Sequence, residues 1–257
     1  MANGNWAWQD LGTTDMDAAR AFYASVFGWT FVPVPMGDFE YSMIYVGDFP
    51  IGGINGPGPD GNSRWIPYLV HDNLDQTIAT IGSTGGTNDP GNPHHIPGIG
   101  RMSYHTDLDG AAFALFEGEG DWANHQMQTM GAVKSQPVWY ELATESAAAT
   151  IPWYQAFTGW GHQEWPMGEG MVYHGATVGD APVAGIFDKA AFGDSGTPSQ
   201  WRFYIEAPES AEASAAAVRA AGGTVIQEPA PIPGTGIFMV AKDPTGAVFG
   251  VLESEAM

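Results

Sequence analysis

The sequence predicts an α+β protein built from four βαβββ units in tandem. Three observations carry that prediction. The stretch "WQDLGTTDMDAARAFYASVFGW" (Trp8 to Trp29) returns as "WYELATESAAATIPWYQAFTGW" (Trp139 to Trp160). A constant offset sets Trp139 on Trp8, Glu141 on Asp10 and Gly159-Trp160 on Gly28-Trp29. "DLDGAAFALFE" from Asp107 returns as "DPTGAVFGVLE" from Asp243, at a slightly larger offset that loops must absorb. Within each half the strand-and-helix grammar runs through twice, and repetition on this scale means that one supersecondary unit has been copied.

In the first unit, Trp8 to Gly12 is a short strand. Asp15 caps a helix whose Ala19, Phe22, Tyr23, Val26 and Phe27 form one buried stripe, and Gly28 ends it. "WTFVPV", "EYSMIYV" and "PIGGI" follow as strands bounded by Gly, Pro and Asp. The second unit opens on "WIPYLVHD" at Trp65, continues through a short helix over Leu74 to Ile81 and a turn at Gly85-Gly86, and closes on "GRMSYHT" and "AAFALFE". The second half restarts at Trp139 and Trp201. Its last helix covers Ala211 to Ala221 and stops at Gly222-Gly223. Pro152 sits where the copied helix should run, so that helix is expected to begin near Thr150 with the proline in its first turn. "GAVKSQP" (Gly131 to Pro137) has the composition of a linker, which gives two domains, residues 1–130 and 138–257.

The chain carries 29 acidic and 8 basic residues, a net charge of −21. That charge repels nucleic acid and anionic membranes, and its scattered placement suits a solvated surface. The absence of cysteine excludes disulfides, thiolate metal ligands and thiol nucleophiles. No apolar run approaches a membrane span and no signal segment opens the chain, so a cytoplasmic monomer or homodimer is expected. "GDFPIGGINGPG" lacks the Lys and helix of a phosphate loop, and no G-x-S-x-G occurs.

"FYASVFGW" behind the Asp15 cap, its echo "WYQAFTGW" and the paired closing turns together resemble the vicinal oxygen chelate superfamily. That superfamily includes glyoxalase I, the bleomycin-resistance proteins and the extradiol dioxygenases. More narrowly, domains that open on Trp with an acid two positions on look like the two-domain bacterial glyoxalase-like proteins that include a group of mycobacterial antigens. The resemblance implies that the units pair into two cup-shaped half-barrels, each a ligand cup. In metal-dependent members, His and Glu side chains in the cup hold a divalent cation. Carried over residue by residue, those places hold Trp8, Trp65 and Ala114 in the first half and Trp139, Trp201 and Gly250 in the second. None of these side chains ligates a metal, so no metal and no cofactor are expected in the cups.

The four tryptophans instead suggest aromatic cups for a flat or apolar ligand, with Tyr68, Tyr204, His71 and His105 as further lining candidates. Strand alternation sets Asp10 on the face of Trp8 and Glu141 on the face of Trp139. These two carboxylates are therefore the expected polar anchors, and the acid/base groups if the protein is an enzyme. The expected function is metal-independent binding of a small apolar or aromatic molecule. The competing class is a lyase or isomerase using Asp10 or Glu141, or a metal-dependent glyoxalase or dioxygenase with displaced ligands such as His71 or His105. His94-His95 are expected in a Pro/Gly loop.

Overall fold

The computed structural model describes residues 3–36, 39–58, 60–124, 133–168, 170–194 and 196–255. The expected end of the first domain at residue 130, and Gly131 of the linker, lie outside the described residues. In the first half the strands are β1 (Trp6–Gly12), β2 (Thr30–Met36), β3 (Phe39–Val46), β4 (Phe49–Asn55), β5 (Arg64–Val70), β6 (Thr87–Asn88), β7 (His94–Ile96), β8 (Gly100–Thr106) and β9 (Ala112–Gly118), with helices α1 (Met16–Phe27) and α2 (Leu74–Ser83). The second half contributes β10 (Pro137–Thr144), β11 (Gly161–Gly168), β12 (Met171–Val178), β13 (Ala181–Asp188), β14 (Gln200–Glu206), β15 (Thr224–Ile232), β16 (Gly236–Lys242) and β17 (Val248–Ser254), with α3 (Ala147–Thr158) and α4 (Ala211–Ala220).

The two sheets repeat one another. The first runs β2-β3-β4-β1-β5-β9-β8-β6 with β7 beside β8, and the second runs β11-β12-β13-β10-β14-β17-β16-β15. The pairs β1/β4, β10/β13, β5/β9 and β14/β17 are parallel, because a helix and further strands intervene before the chain returns alongside. The α+β tandem architecture read from the repeat is the one the chain adopts. His94–Ile96 departs from the expected loop by pairing with Gly100–Met102 as a small hairpin.

Local signals explain the helices. The Asp15 side chain accepts the Ala18 N–H, Gly28 takes φ 70° at the other end of α1, and the buried residues are Ala19, Phe22, Tyr23, Val26 and Phe27 as the spacing predicts. Helix α3 corrects one expectation. It begins at Ala147 rather than near Thr150 and carries Pro152 in its second turn. The cap decides this, because Ser146 accepts the Ala149 N–H and Asp188 accepts the Ala147 N–H at 2.5 Å. Ala147 and Thr158, the ends of α3, then fall on Met16 and Phe27, the ends of α1, at the offset of the repeat. The cost of an interior proline, about 3 kcal/mol for the lost hydrogen bond and the ring clash together, is outweighed by the caps and the buried face.

Contacts divide the chain into two compact units that each combine both halves. One comprises Met1–Trp8, Pro67–Met127 and Trp139–Trp201; the other comprises Gln9–Ile66, Gln128–Val138 and Arg202–Met257. In the first unit, Tyr154 and Phe157 of α3 pack on Phe113 of β9. In the second, Phe22, Tyr23 and Phe27 of α1 pack on Phe249 of β17. Each helix thus covers strands of the other sequence half.

Each core is tied by a buried polar triad. In the first unit the Trp201 indole donates to the Tyr154 hydroxyl at 2.8 Å, and that hydroxyl donates to Asp107 at 3.3 Å. In the second, Trp65 donates to the Tyr23 hydroxyl at 2.8 Å, and Tyr23 faces Asp243. Burial and the neighbouring carboxylates push both tyrosines well above the usual phenol range. Burial pushes Asp107 up to about 6, and it raises Asp243 as well.

Candidate functional site

Two clusters repeat a single register device. On β10, Glu141 lies beside Gly185 of the parallel strand β13, and Tyr173 of β12 reaches diagonally across that glycine. The Tyr173 hydroxyl donates to Glu141 Oε2 at 2.8 Å and accepts the Trp139 indole N–H at 2.9 Å. A methyl group at residue 185 would stand 1.7 Å from that hydroxyl, so only glycine leaves the tyrosine its place. Trp165 of β11 stacks on Tyr173 at 5.9 Å and 14°, over Gly175, where a methyl group would stand 2.6 Å from the indole. Phe187 stacks on Tyr173 at 6.1 Å.

In the other unit the same device is built from Asp10, Tyr41 and Gly53. Asp10 of β1 lies beside Gly53 of β4, and the Tyr41 hydroxyl of β3 donates to Asp10 Oδ1 at 2.9 Å. A methyl group at residue 53 would stand 1.9 Å from that hydroxyl. Both carboxyl side chains are buried, whereas Trp139, Trp165 and Tyr173 are half-buried. A carboxylate with a phenol donor, framed by rings, can hold the polar edge of an otherwise apolar molecule. Sequence reasoning misses Tyr41, Tyr173, Gly53 and Gly185; their one signal is that Tyr41/Tyr173 and Gly53/Gly185 share the same spacing.

The expected lining residues divide. Trp139 belongs to the Glu141 cluster, and Trp8 is half-buried with its ring edge-on to Trp122 at 5.9 Å. Trp65 and Trp201 correct the expectation of four cup tryptophans: both are buried against helix tyrosines and serve the two core triads. Tyr68 and Tyr204 occupy the opposite face of their strands by alternation. Tyr68 donates to the Tyr104 hydroxyl at 2.9 Å beside Ala114, and the Tyr204 ring lies over Gly250.

His71 and His105 have both ring nitrogens engaged. His71 Nδ1 accepts the Asn73 N–H at 3.2 Å while Nε2 donates to the Phe157 carbonyl at 2.9 Å. His105 Nδ1 donates to Asn88 at 2.9 Å and Nε2 accepts from Ser103 at 2.7 Å. Burial lowers the His105 pKa to about 4, which fits a neutral core imidazole. Neither ring offers a free lone pair to a displaced metal.

The divalent cation implied by the family does not fit the carried-over positions. Ala114 and Gly250 have no donor atom, the Trp65, Trp139 and Trp201 indoles are hydrogen-bond donors, and the Tyr204 ring covers Gly250. Among the described residues, no three His, Asp or Glu groups converge at Asp10 or at Glu141.

The relatives fit this architecture. A family model described as bleomycin resistance protein-like N-terminal matches residues 8–47. A Mycobacterium tuberculosis protein named provisionally as a glyoxylase, CFP32, is 35% identical over 96% of this chain and 93% of its own length. The anthracycline biosynthesis protein DnrV of Streptomyces peucetius is 29% identical over 98% of this chain and 94% of its own length. Among solved structures, the Mn(II)-bound glyoxalase of Novosphingobium aromaticivorans matches 98% of this chain and 82% of its own, with a TM-score of 0.65 and 16% identity. The 2,3-dioxygenase LapB of Pseudomonas sp. KL28 matches 100% and 94%, with a TM-score of 0.61 and 13% identity. With its duplicated βαβββ sheets and a relative this similar over nearly its whole length, the chain belongs to the vicinal oxygen chelate superfamily, among the two-domain glyoxalase-like and bleomycin-resistance-like proteins.

Proposed function

We propose that this protein binds a small, flat, apolar or aromatic molecule, without a metal at the acid–tyrosine clusters, and that Glu141 and Asp10 anchor its polar edge. The observation that carries the reading is the Trp139–Tyr173–Glu141 chain with Trp165 stacked on Tyr173. Its half-buried indoles supply stacking area, and its buried carboxylate supplies one directional contact. The name of DnrV points to the same chemistry, since anthracyclines are built on fused planar rings. The net charge of −21 disfavours anionic ligands at long range.

The test is a titration of chelator-treated protein with quinizarin, an uncharged planar dihydroxyanthraquinone, read by quenching of tryptophan emission. Saturable quenching at one or two sites per chain is expected. Quenching that disappears on chelation would overturn the metal-free reading.

A second reading is favoured by the hydrogen bond between the Tyr173 hydroxyl and Glu141, a pair that can hold and pass a proton. In it the protein is a lyase or isomerase with Glu141, and Asp10 in the other unit, as acid/base. Turnover of the hemithioacetal of methylglyoxal that vanishes in Glu141→Gln would move the protein to that class.

A further inference from the structure

The β11–β12 ladder presents a second chemistry on its other face. Trp165 and Tyr173 stack on one side, so His162 and Glu164, two residues apart on β11, share the opposite side by alternation. His174 of β12 stands directly across from Glu164 and completes the group. One ligand atom from each of the three side chains lies within 4.8 Å of the others. His162 and Glu164 are exposed and His174 is half-buried, and the two histidines border a small recess with Ile151, Gln155, Trp160 and Ile186.

From this geometry we propose that His162, Glu164 and His174 bind one divalent transition-metal ion of the zinc type, at a site separate from the Glu141 cluster. Two imidazoles and a carboxylate are the donor set that suits Zn, Ni, Cu or Fe(II), with positions left for water. The spacing is close to what an ion needs. His162 Nε2 and His174 Nδ1 lie 3.0 Å apart, and two nitrogens at about 2.1 Å from one tetrahedral ion are about 3.4 Å apart, so the rings need only part by a few tenths of an ångström. Without metal the two rings meet through one N–H···N bond; to ligate through both of these nitrogens the donor ring moves its proton to its other nitrogen, so both imidazoles bind neutral and no net proton is released. An antiparallel ladder fixes all three Cβ positions, and the acidic surface concentrates cations around it. An ion here would also brace the hairpin that carries Trp165 and Tyr173.

The experiment uses full-length protein without a polyhistidine tag. Zn2+ is titrated in competition with a chromophoric chelator, Co2+ ligand-field absorption reports the coordination, and thermal melts are run with and without Zn2+. One Zn2+ per chain and a Zn2+-dependent rise in Tm are expected. Affinity should fall at least about tenfold in His162→Gln and His174→Gln, fall less in Glu164→Gln, and stay unchanged in a His94→Gln/His95→Gln control. His162 is exposed, so its variant answers even if the half-buried His174 variant folds poorly. Undiminished binding in His162→Gln, or no stoichiometric Zn2+ in the parent, would overturn the proposal.

Discussion

The Glu141 cluster and the Asp10 cluster share a register and differ in their surroundings. Both place an acid beside a glycine and lay a tyrosine across that glycine to reach the acid. At Glu141 the phenol carries a stacked Trp165 from across the ladder. At Asp10 the residue across from Tyr41 is Val34. The core triads show the opposite balance: Trp, Tyr and Asp are kept in both, and only the support of the aspartate changes. Asp243 accepts from the Thr245 hydroxyl and amide at 2.8 Å each, whereas the corresponding residue to Thr245 is Asp109 beside Asp107. Duplication preserved what packs the core and let the periphery of the clusters diverge.

The largest expected effect concerns the two buried aspartates. The Asp107 carboxyl titrates at about 6 when folded against 3.8 as its reference value. Below about pH 4 it is protonated in both states and contributes nothing. As pH rises from 4 to 6 the unfolded chain releases the proton first, so the folded state loses stability, with the loss complete above about pH 6. That loss is on the order of 3 kcal/mol. Asp107→Asn keeps an acceptor for the Asp109 and Ala111 amides. Its Tm advantage over the parent should therefore grow between pH 4 and 7. Asp243→Asn should gain less, because Thr245 favours the ionised form.

Next in size are the glycines. Gly185→Ala should displace Tyr173 and cost about 1–3 kcal/mol in thermal unfolding. Gly53→Ala should do the same to Tyr41, and a null effect at either site would break the shared-register account. Tyr173→Phe removes the hydroxyl that links Trp139 to Glu141, and denaturant unfolding should show a cost of about 1–3 kcal/mol. Trp139→Phe, which removes the indole donor and part of the half-buried ring, should be the mildest, at about 0.5–1.5 kcal/mol for the lost hydrogen bond.

Much of this was legible in the sequence because it is local. The Asp15 cap, the α1 stripe and the Gly28 stop follow from spacing alone, and the pairing of Asp10 with Glu141 follows from the repeat. What escaped was set by distant contacts. Trp65 and Trp201 open their strands as Trp8 does, but the sheet uses them one residue out of step, and a one-residue slip exchanges the faces. Nothing local fixes that register; it is fixed where Trp65 meets Tyr23 and Trp201 meets Tyr154. "IGGI" and "VAGI" lack metal donors, yet the glycines at 53 and 185 within them are the floor of each cluster, visible only once Tyr41 and Tyr173 are placed across them. The exchange of helices between the halves was hidden for the same reason, since two copies of one pattern do not say which packs on which.

The central claim is that the two acids anchor a ligand rather than the fold. The most direct measurement is quinizarin affinity, alongside Tm, for chelator-treated parent, Glu141→Gln and Asp10→Asn. An anchoring carboxylate in a buried hydrogen bond is worth about 1.5–3 kcal/mol, so affinity should drop about tenfold or more in Glu141→Gln, with a smaller drop in Asp10→Asn. Unchanged affinity in both variants with a lowered Tm would contradict the account and assign the two carboxylates to the fold alone.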